Sequence, residues 1–153
     1  MTELKLILHA LLKPLNSEFQ ADIVAVTRND ERSDAFTHYI LTQQAAATET
    51  MTSPIMHESF AGSVMDSAKP LVVNDVALAD FNCPIMQAEG IHSYLGTPLS
   101  LDNMCIGVLE IMCKSPRLWS LSDAERAAEY GEMIQAILAP MTGASQSVPL
   151  RLH

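Results

Sequence analysis

Cations are scarce in this chain: nine Lys and Arg stand against eighteen Asp and Glu, a formal net charge of -9 over 153 residues. The cations never form a run, so no basic stripe can track a phosphate backbone. The acidic whole is repelled by nucleic acid and by anionic membranes. Cysteine is scarce too. Cys83, Cys105 and Cys113 are odd in number and widely spaced, which excludes a disulfide framework and any Cys-x-x-Cys metal knuckle, and fits a reducing cytoplasm. His9, His38, His57, His92 and His153 show no close ligand spacing. No apolar run approaches the ~20 residues of a membrane span. The first twelve residues place Glu3, Lys5 and His9 among leucines, so they do not read as a secretory leader. Aromatics are only 5%, yet hydrophobic residues reach 48% against 18% charged. That suits one packed domain and argues against disorder.

What is present is organised by period. Leu4, Leu8, Leu11 and Leu15, widened by Ile7 and Leu12, predict an amphipathic helix over 3–19. Pro14 should bend or restart it near Leu11. Residues 21–28 and 36–42 read as a β-hairpin around the polar turn 29–34, and 43–56 as a long polar connection. A short helix is expected over 57–68, a short strand over 71–73, and a further helix over 84–89 with Gly90 just after it. Strands over 93–101 and 104–112 flank Asp102-Asn103, a two-residue hairpin turn. Ser122 and Glu125 have capping-box spacing for a last helix, with Ala127, Tyr130, Ile134, Ile137, Leu138 and Met141 on one side. Residues 142–153 have no pattern and read as a flexible tail behind a single domain, 1–141. The order predicts an α+β fold: a mainly antiparallel sheet with the terminal helices on one face, in two or three layers.

Four segments carry a family resemblance. Phe60-Ala-Gly-Ser-Val-Met-Asp-Ser-Ala-Lys-Pro-Leu-Val-Val-Asn-Asp75-Val resembles the helix, strand and "nDv" turn of GAF domains, the small-molecule sensing fold of phosphodiesterases, phytochromes and bacterial sensors. Gly90-Ile-His-Ser-Tyr-Leu-Gly-Thr-Pro-Leu99 resembles that family's "gi.sylgvPL" strand, Cys105-Ile-Gly-Val-Leu-Glu-Ile111 its "iGvLel" strand, and Leu118-Trp-Ser-Leu-Ser-Asp-Ala-Glu125 the start of its last helix. Four segments in order are specific for the fold, while the fold itself hosts many ligands.

The resemblance frames the chemistry. The GAF enzyme that reduces free methionine sulfoxide places a cysteine in the helix before "lvv.Dv", where Ala61 stands here. Cys105 and Cys113 read as strand residues facing the core beside Gly107, Leu109 and Ile111. Cys83 sits where phytochrome-like members attach bilin, but Pro84 follows it instead of His. Haem or iron through a single His, with His92 or His57 as ligand, is a minor alternative. Lys114, Trp119 and Asp123 echo the cyclic-nucleotide signature and read as a structural Lys–Asp pair. Standalone GAF proteins of this size that bind nitrate are similar in layout.

The expectation is therefore a bacterial, cytoplasmic signalling module that binds a small molecule or small anion without catalysis. It holds no assigned cofactor and no metal. The resemblance implies a pocket under loops and short helices lined by Met51, Ile55, Phe60, Val64, Phe81, Cys83, Ile85 and Met86, with His92 and Tyr94 as polar contacts. The leucine and α-helical stripes imply a homodimer through the terminal helices, coupled to a sensor kinase or another output domain. Two alternatives stand beside it: a dimerisation or docking module with a self-filled pocket, and a thiol enzyme using Cys83.

Overall fold

A computed structural model describes residues 3–30, 35–42, 47–52, 60–78 and 90–141. Helix α1 (Glu3–Phe19) leads into strands β1 (Ile23–Asp30), β2 (Ala35–Thr42) and β3 (Ala47–Thr52). Helix α2 (Phe60–Ser67) and strand β4 (Leu71–Val73) follow, then a 3-10 turn at Val76–Leu78. Strands β5 (Ser93–Leu101) and β6 (Met104–Cys113) precede helix α3 (Leu121–Leu138). The strands form one six-stranded sheet in the order β3-β2-β1-β6-β5-β4. Every pairing is antiparallel.

The β5–β6 hairpin shows why these residues fold as they do. Asp102 and Asn103 both take positive φ, 52° and 65°, the left-handed pair that a tight two-residue turn needs and that Asp and Asn tolerate. Beyond the turn the register shifts between Leu99 and Ser100, which face Gly107 and Cys105. Ile106 is thereby bulged out of the ladder, and it packs toward the helix-side core. Cys105 is left half-buried rather than sealed. Gly107 is required at its place: a Cβ there would lie 2.5 Å from the Thr27 carbonyl oxygen on β1. Pro98 is tolerated because β4 pairs only with Tyr94, Leu95 and Gly96, so its missing N–H interrupts no ladder on that side.

The sheet is covered on both faces. On one, α1 contributes Leu4, Leu8, Leu12, Leu15 and Phe19, and α3 contributes Ala127, Tyr130, Ile134 and Leu138. These pack on Val24, Val26, Leu41, Leu95, Leu99, Leu109 and Ile111. On the other, Phe60, Ala61 and Val64 of α2 sit with Ala25, Val73, Tyr94, Val108 and Met112. The result is the expected antiparallel α+β architecture with terminal helices on one face, in three layers.

Several expectations need correction. Helix α1 runs from Glu3 to Phe19 as one helix with Pro14 inside it. Its buried stripe contains Leu12 in place of Leu11, which is only partly buried, and Ile7 is exposed. Residues 47–52, assigned to a connection, form edge strand β3 on β2. Alternate β-branched Thr48, Thr50 and Thr52 favour a strand, and an edge strand needs no long apolar run. Strand β1 continues to Asp30, two residues into the expected turn. The capping box is Ser120 with Asp123, not Ser122 with Glu125: Ser120 Oγ accepts from the Asp123 N–H at 3.0 Å and the Asp123 carboxylate accepts from the Ser120 N–H at 2.9 Å. Asp123 is thus committed to the helix start and forms no ion pair with Lys114. The expected helix over 84–89 and the tail over 142–153 lie outside the described residues. Replacing Ser120 with Ala should cost about 1 kcal/mol by urea denaturation, and Ser122→Ala close to nothing; the reverse order would mean that the helix starts two residues later.

Candidate functional site

The site starts from strand β6, which lies between β1 and β5 and presents residues alternately to the two faces. Leu109 and Ile111 face the terminal helices, and Val108, Glu110 and Met112 face α2. Glu110 therefore sits in the middle of the sheet, and it is 3% exposed. Its cross-strand neighbours are Ala25 on β1 and Gly96 on β5. Both are small, which leaves room for a carboxyl between them.

Two hydroxyls fill part of that room. Thr27 Oγ1 lies 2.5 Å from Glu110 Oε1, and Tyr94 Oη lies 2.6 Å from Glu110 Oε2. Tyr94 reaches the carboxyl by lying across Gly96: a Cβ at that position would be 2.6 Å from the Tyr94 hydroxyl. That is why a glycine occupies the middle of β5. Phe60 of α2 covers Tyr94, with ring centroids 4.8 Å apart and planes tilted by 50°.

Among the described residues, no cation acts on Glu110. Burial raises its pKa above the ordinary 4.5, and the Thr27 and Tyr94 hydrogen bonds oppose the rise. A sealed carboxyl bonded only to hydroxyls is driven toward its neutral form. Among the described residues, no group of three or more His, Cys, Asp or Glu side chains could hold a metal ion.

The residues expected to line a pocket divide unevenly. Phe60, Val64 and Tyr94 are brought to the Glu110 face, all fully buried. His92 is exposed, and its main chain is bonded to Val76 and Cys113. Met51 lies on β3, four strand spacings from β5 in the sheet order, roughly 19 Å away. Ile55, Phe81, Cys83, Ile85 and Met86 lie outside the described residues. Glu110 and Thr27 were not anticipated. The available signal was Glu110 itself, the one charge within Ile106–Cys113, a run otherwise apolar on both faces.

Comparison with known proteins places this geometry. The GAF domain family model matches residues 3–138. No curated protein matches the chain. Among solved structures, the GAF domain of a phosphoenolpyruvate-protein phosphotransferase from Acinetobacter superposes with a TM-score of 0.72 at 15% identity, covering 89% of this chain and 82% of that one. The free methionine-R-sulfoxide reductase of Neisseria meningitidis, solved with its substrate, gives 0.71 at 20% identity, covering 90% and 78%. A red/green cyanobacteriochrome in its red-light-absorbing state gives 0.71 at 15% identity, covering 99% and 100%. At these identities the likeness is one of fold.

Because the raised pKa means that the folded state holds a proton the unfolded chain gives up, the Glu110 contribution to stability is complete below pH 4.5. It is lost as the pH rises through the folded-state value. Glu110→Gln, which keeps the shape and removes the titration, should gain stability relative to the parent as pH rises from about 4.5. Denaturant midpoints of the two proteins across pH 4 to 8, on the order of that window, check this; a difference that stays constant would mean that Glu110 titrates normally.

Proposed function

The chain belongs to the GAF domain family, and from that premise we propose that it is a non-catalytic regulatory module that binds a small molecule on the α2 face of its sheet, beside Glu110. The observation that carries this reading is the sealed Glu110–Thr27–Tyr94 group on the middle strand. A structural carboxyl is better replaced by an apolar side chain at that depth, whereas a recognition group has to be there. Sensor-type structural neighbours such as the cyanobacteriochrome support a signalling role for the fold.

Catalysis has little to work with among the described residues. Cys113 faces the terminal helices and Cys105 sits beyond the bulge, with its thiol pushed up in pKa by burial. Helix α2 contains no cysteine, and Ala61 stands where the resemblance places that of the reductase. No helix among the described residues is long and apolar enough to cross a membrane.

The signal would pass through β6. Glu110 meets the ligand on one face, and its neighbours Leu109 and Ile111 pack in the same core as Leu8 and Ile134 on the other. The terminal helices would then act on a second copy and on an output domain. Of the stripes expected to make the dimer, Leu4, Leu8, Leu15, Tyr130, Ile134 and Leu138 are buried in the protomer's own core, and Leu11 and Ile137 are partly buried against it. What α1 and α3 leave exposed is Leu6, Ile7, Leu121 and Met133, and the homodimer we propose uses that remainder. A second reading, a docking module with a self-filled pocket, is favoured by the complete burial of Tyr94 and Phe60.

A thermal-shift screen separates the two readings. Trp119 is the single tryptophan. Its indole N–H donates to the Val73 carbonyl at 3.2 Å just before α3 begins. A sensed ligand should raise the melting temperature and change Trp119 fluorescence together. A broad screen with no stabilising compound supports the docking module instead. Light scattering should give twice the 16.7 kDa chain mass, and Leu6→Glu with Met133→Glu should return it to one chain. A wild-type mass of one chain overturns the dimer.

A further inference from the structure

The chemical class of the ligand can be taken further, on the premise of the sensing site just proposed. Glu110 is buried, and among the described residues its bonds are to the Thr27 and Tyr94 hydroxyls. The side chains around it on this face are Ala25 and Thr27 of β1, Tyr94 and Gly96 of β5, Val108 and Met112 of β6, and Phe60, Ala61 and Val64 of α2. Of these only Tyr94 carries an ionisable side chain. The charged residues near the ends of the same elements, Asp22, Arg28, Asp66, Lys69 and Lys114, do not perturb Glu110. An ionised carboxylate offers about four acceptor directions, of which two are taken here.

Three kinds of ligand can be weighed against that arrangement. An anion would meet a carboxyl with no compensating cation among the described residues, in a protein of net charge -9, so the small-anion expectation is disfavoured. A neutral ligand would leave Glu110 protonated and use little of what distinguishes the site. A protonated nitrogen supplies the missing counter-charge, with donors for the unused acceptor directions. The rings of Tyr94 and Phe60 flank it, and aromatic faces attract cations. We propose that the site takes a small molecule bearing a protonated amine or amidine, which replaces the Glu110 proton on binding. The exchange balances: the neutral carboxyl releases its proton to solvent, and the carboxylate left behind pairs with the incoming cation. No covalent bond to the ligand forms.

The consequence is a defined pH signature. Affinity for a permanently protonated amine should rise about tenfold per pH unit below the Glu110 value of the empty protein and level off above it.

The test is calorimetric titration of the full chain at pH about 5 with methylamine, benzylamine and benzamidine, beside benzyl alcohol and benzoate. Each is run in two buffers of different ionisation enthalpy. The expected result is binding of at least one cationic probe with release of up to about one proton, no comparable binding of the alcohol or benzoate, and at least a tenfold loss of affinity in Glu110→Gln. Proton release is read on the unaltered protein, so it decides the matter even where the variant fails to fold. Equal binding of the alcohol, or amine binding without proton release, overturns the amine assignment and leaves the sensing reading in place. Failure of every cationic probe, beside a neutral or anionic hit in the thermal-shift screen, does the same. Failure of the probes and of the whole screen overturns both.

Discussion

A carboxyl on the middle strand of a sheet covered on both faces is the constraint from which the rest of this molecule follows. Glu110 cannot reach water along β6, because β1 and β5 flank it, and it cannot reach water outward, because α2 lies above it. Its needs must be met from the two adjacent strands. Ala25 and Gly96 stand directly opposite it and are too small to fill the space. Thr27 and Tyr94, one step along the same face, turn their hydroxyls in. Gly96 then has a steric role as well, since Tyr94 passes over it. One polar side chain thus accounts for the identity of four others.

The two faces of the sheet are chemically unlike. The terminal-helix face is a continuous apolar core, built from four leucines and Phe19 of α1 and from Ala127, Tyr130, Ile134 and Leu138 of α3 packed on Leu95, Leu99, Leu109 and Ile111. Among the described residues, the α2 face carries fewer apolar residues, split into two clusters with the Glu110 group on the same side. The larger of the described cores lies on the first face, which can support a costly polar group on the second.

How far the chain could be read in advance follows the same physics. The β5–β6 hairpin was legible because its turn needs residues that accept positive φ, and Asp102-Asn103 are such residues. The α2–β4 segment was legible through the family resemblance. Strand β3 was not, because Thr48, Thr50 and Thr52 at a sheet edge look like a polar loop. The first turn of α3 was misplaced by two residues because two Ser-x-x-acid patterns overlap between Ser120 and Glu125, and local sequence does not choose between them. Trp119 chooses: its backbone N–H donates to Asn74 Oδ1 at 3.1 Å and its indole to Val73. Those contacts fix Ser120 as the residue that enters the helix. Of the residues expected to line a pocket, Phe60, Val64 and Tyr94 lie on the α2 face. The carboxyl they cover was passed over, because one Glu in an apolar strand carries no periodic signal.

Coupling between the faces has two available routes, and their strengths differ. At the surface, Arg126 of α3 bridges Glu18 of α1 at 2.7 Å and Glu129 at 2.9 Å, while Tyr130 donates to Glu18 at 3.2 Å. The Arg126 hydrogen bond holds the Glu18 carboxyl below its ordinary pKa. That clamp joins the helices to each other, but it is solvent-exposed and screened by salt, and exposed pairs of this kind contribute little. It also touches nothing on the α2 face. Inside, Leu109 and Ile111 are fully buried against the terminal-helix core, and they are the immediate neighbours of Glu110. A close-packed interior transmits displacement because it has no slack to absorb it. Any shift of Glu110 along β6 must therefore move Leu109 and Ile111 against the terminal helices.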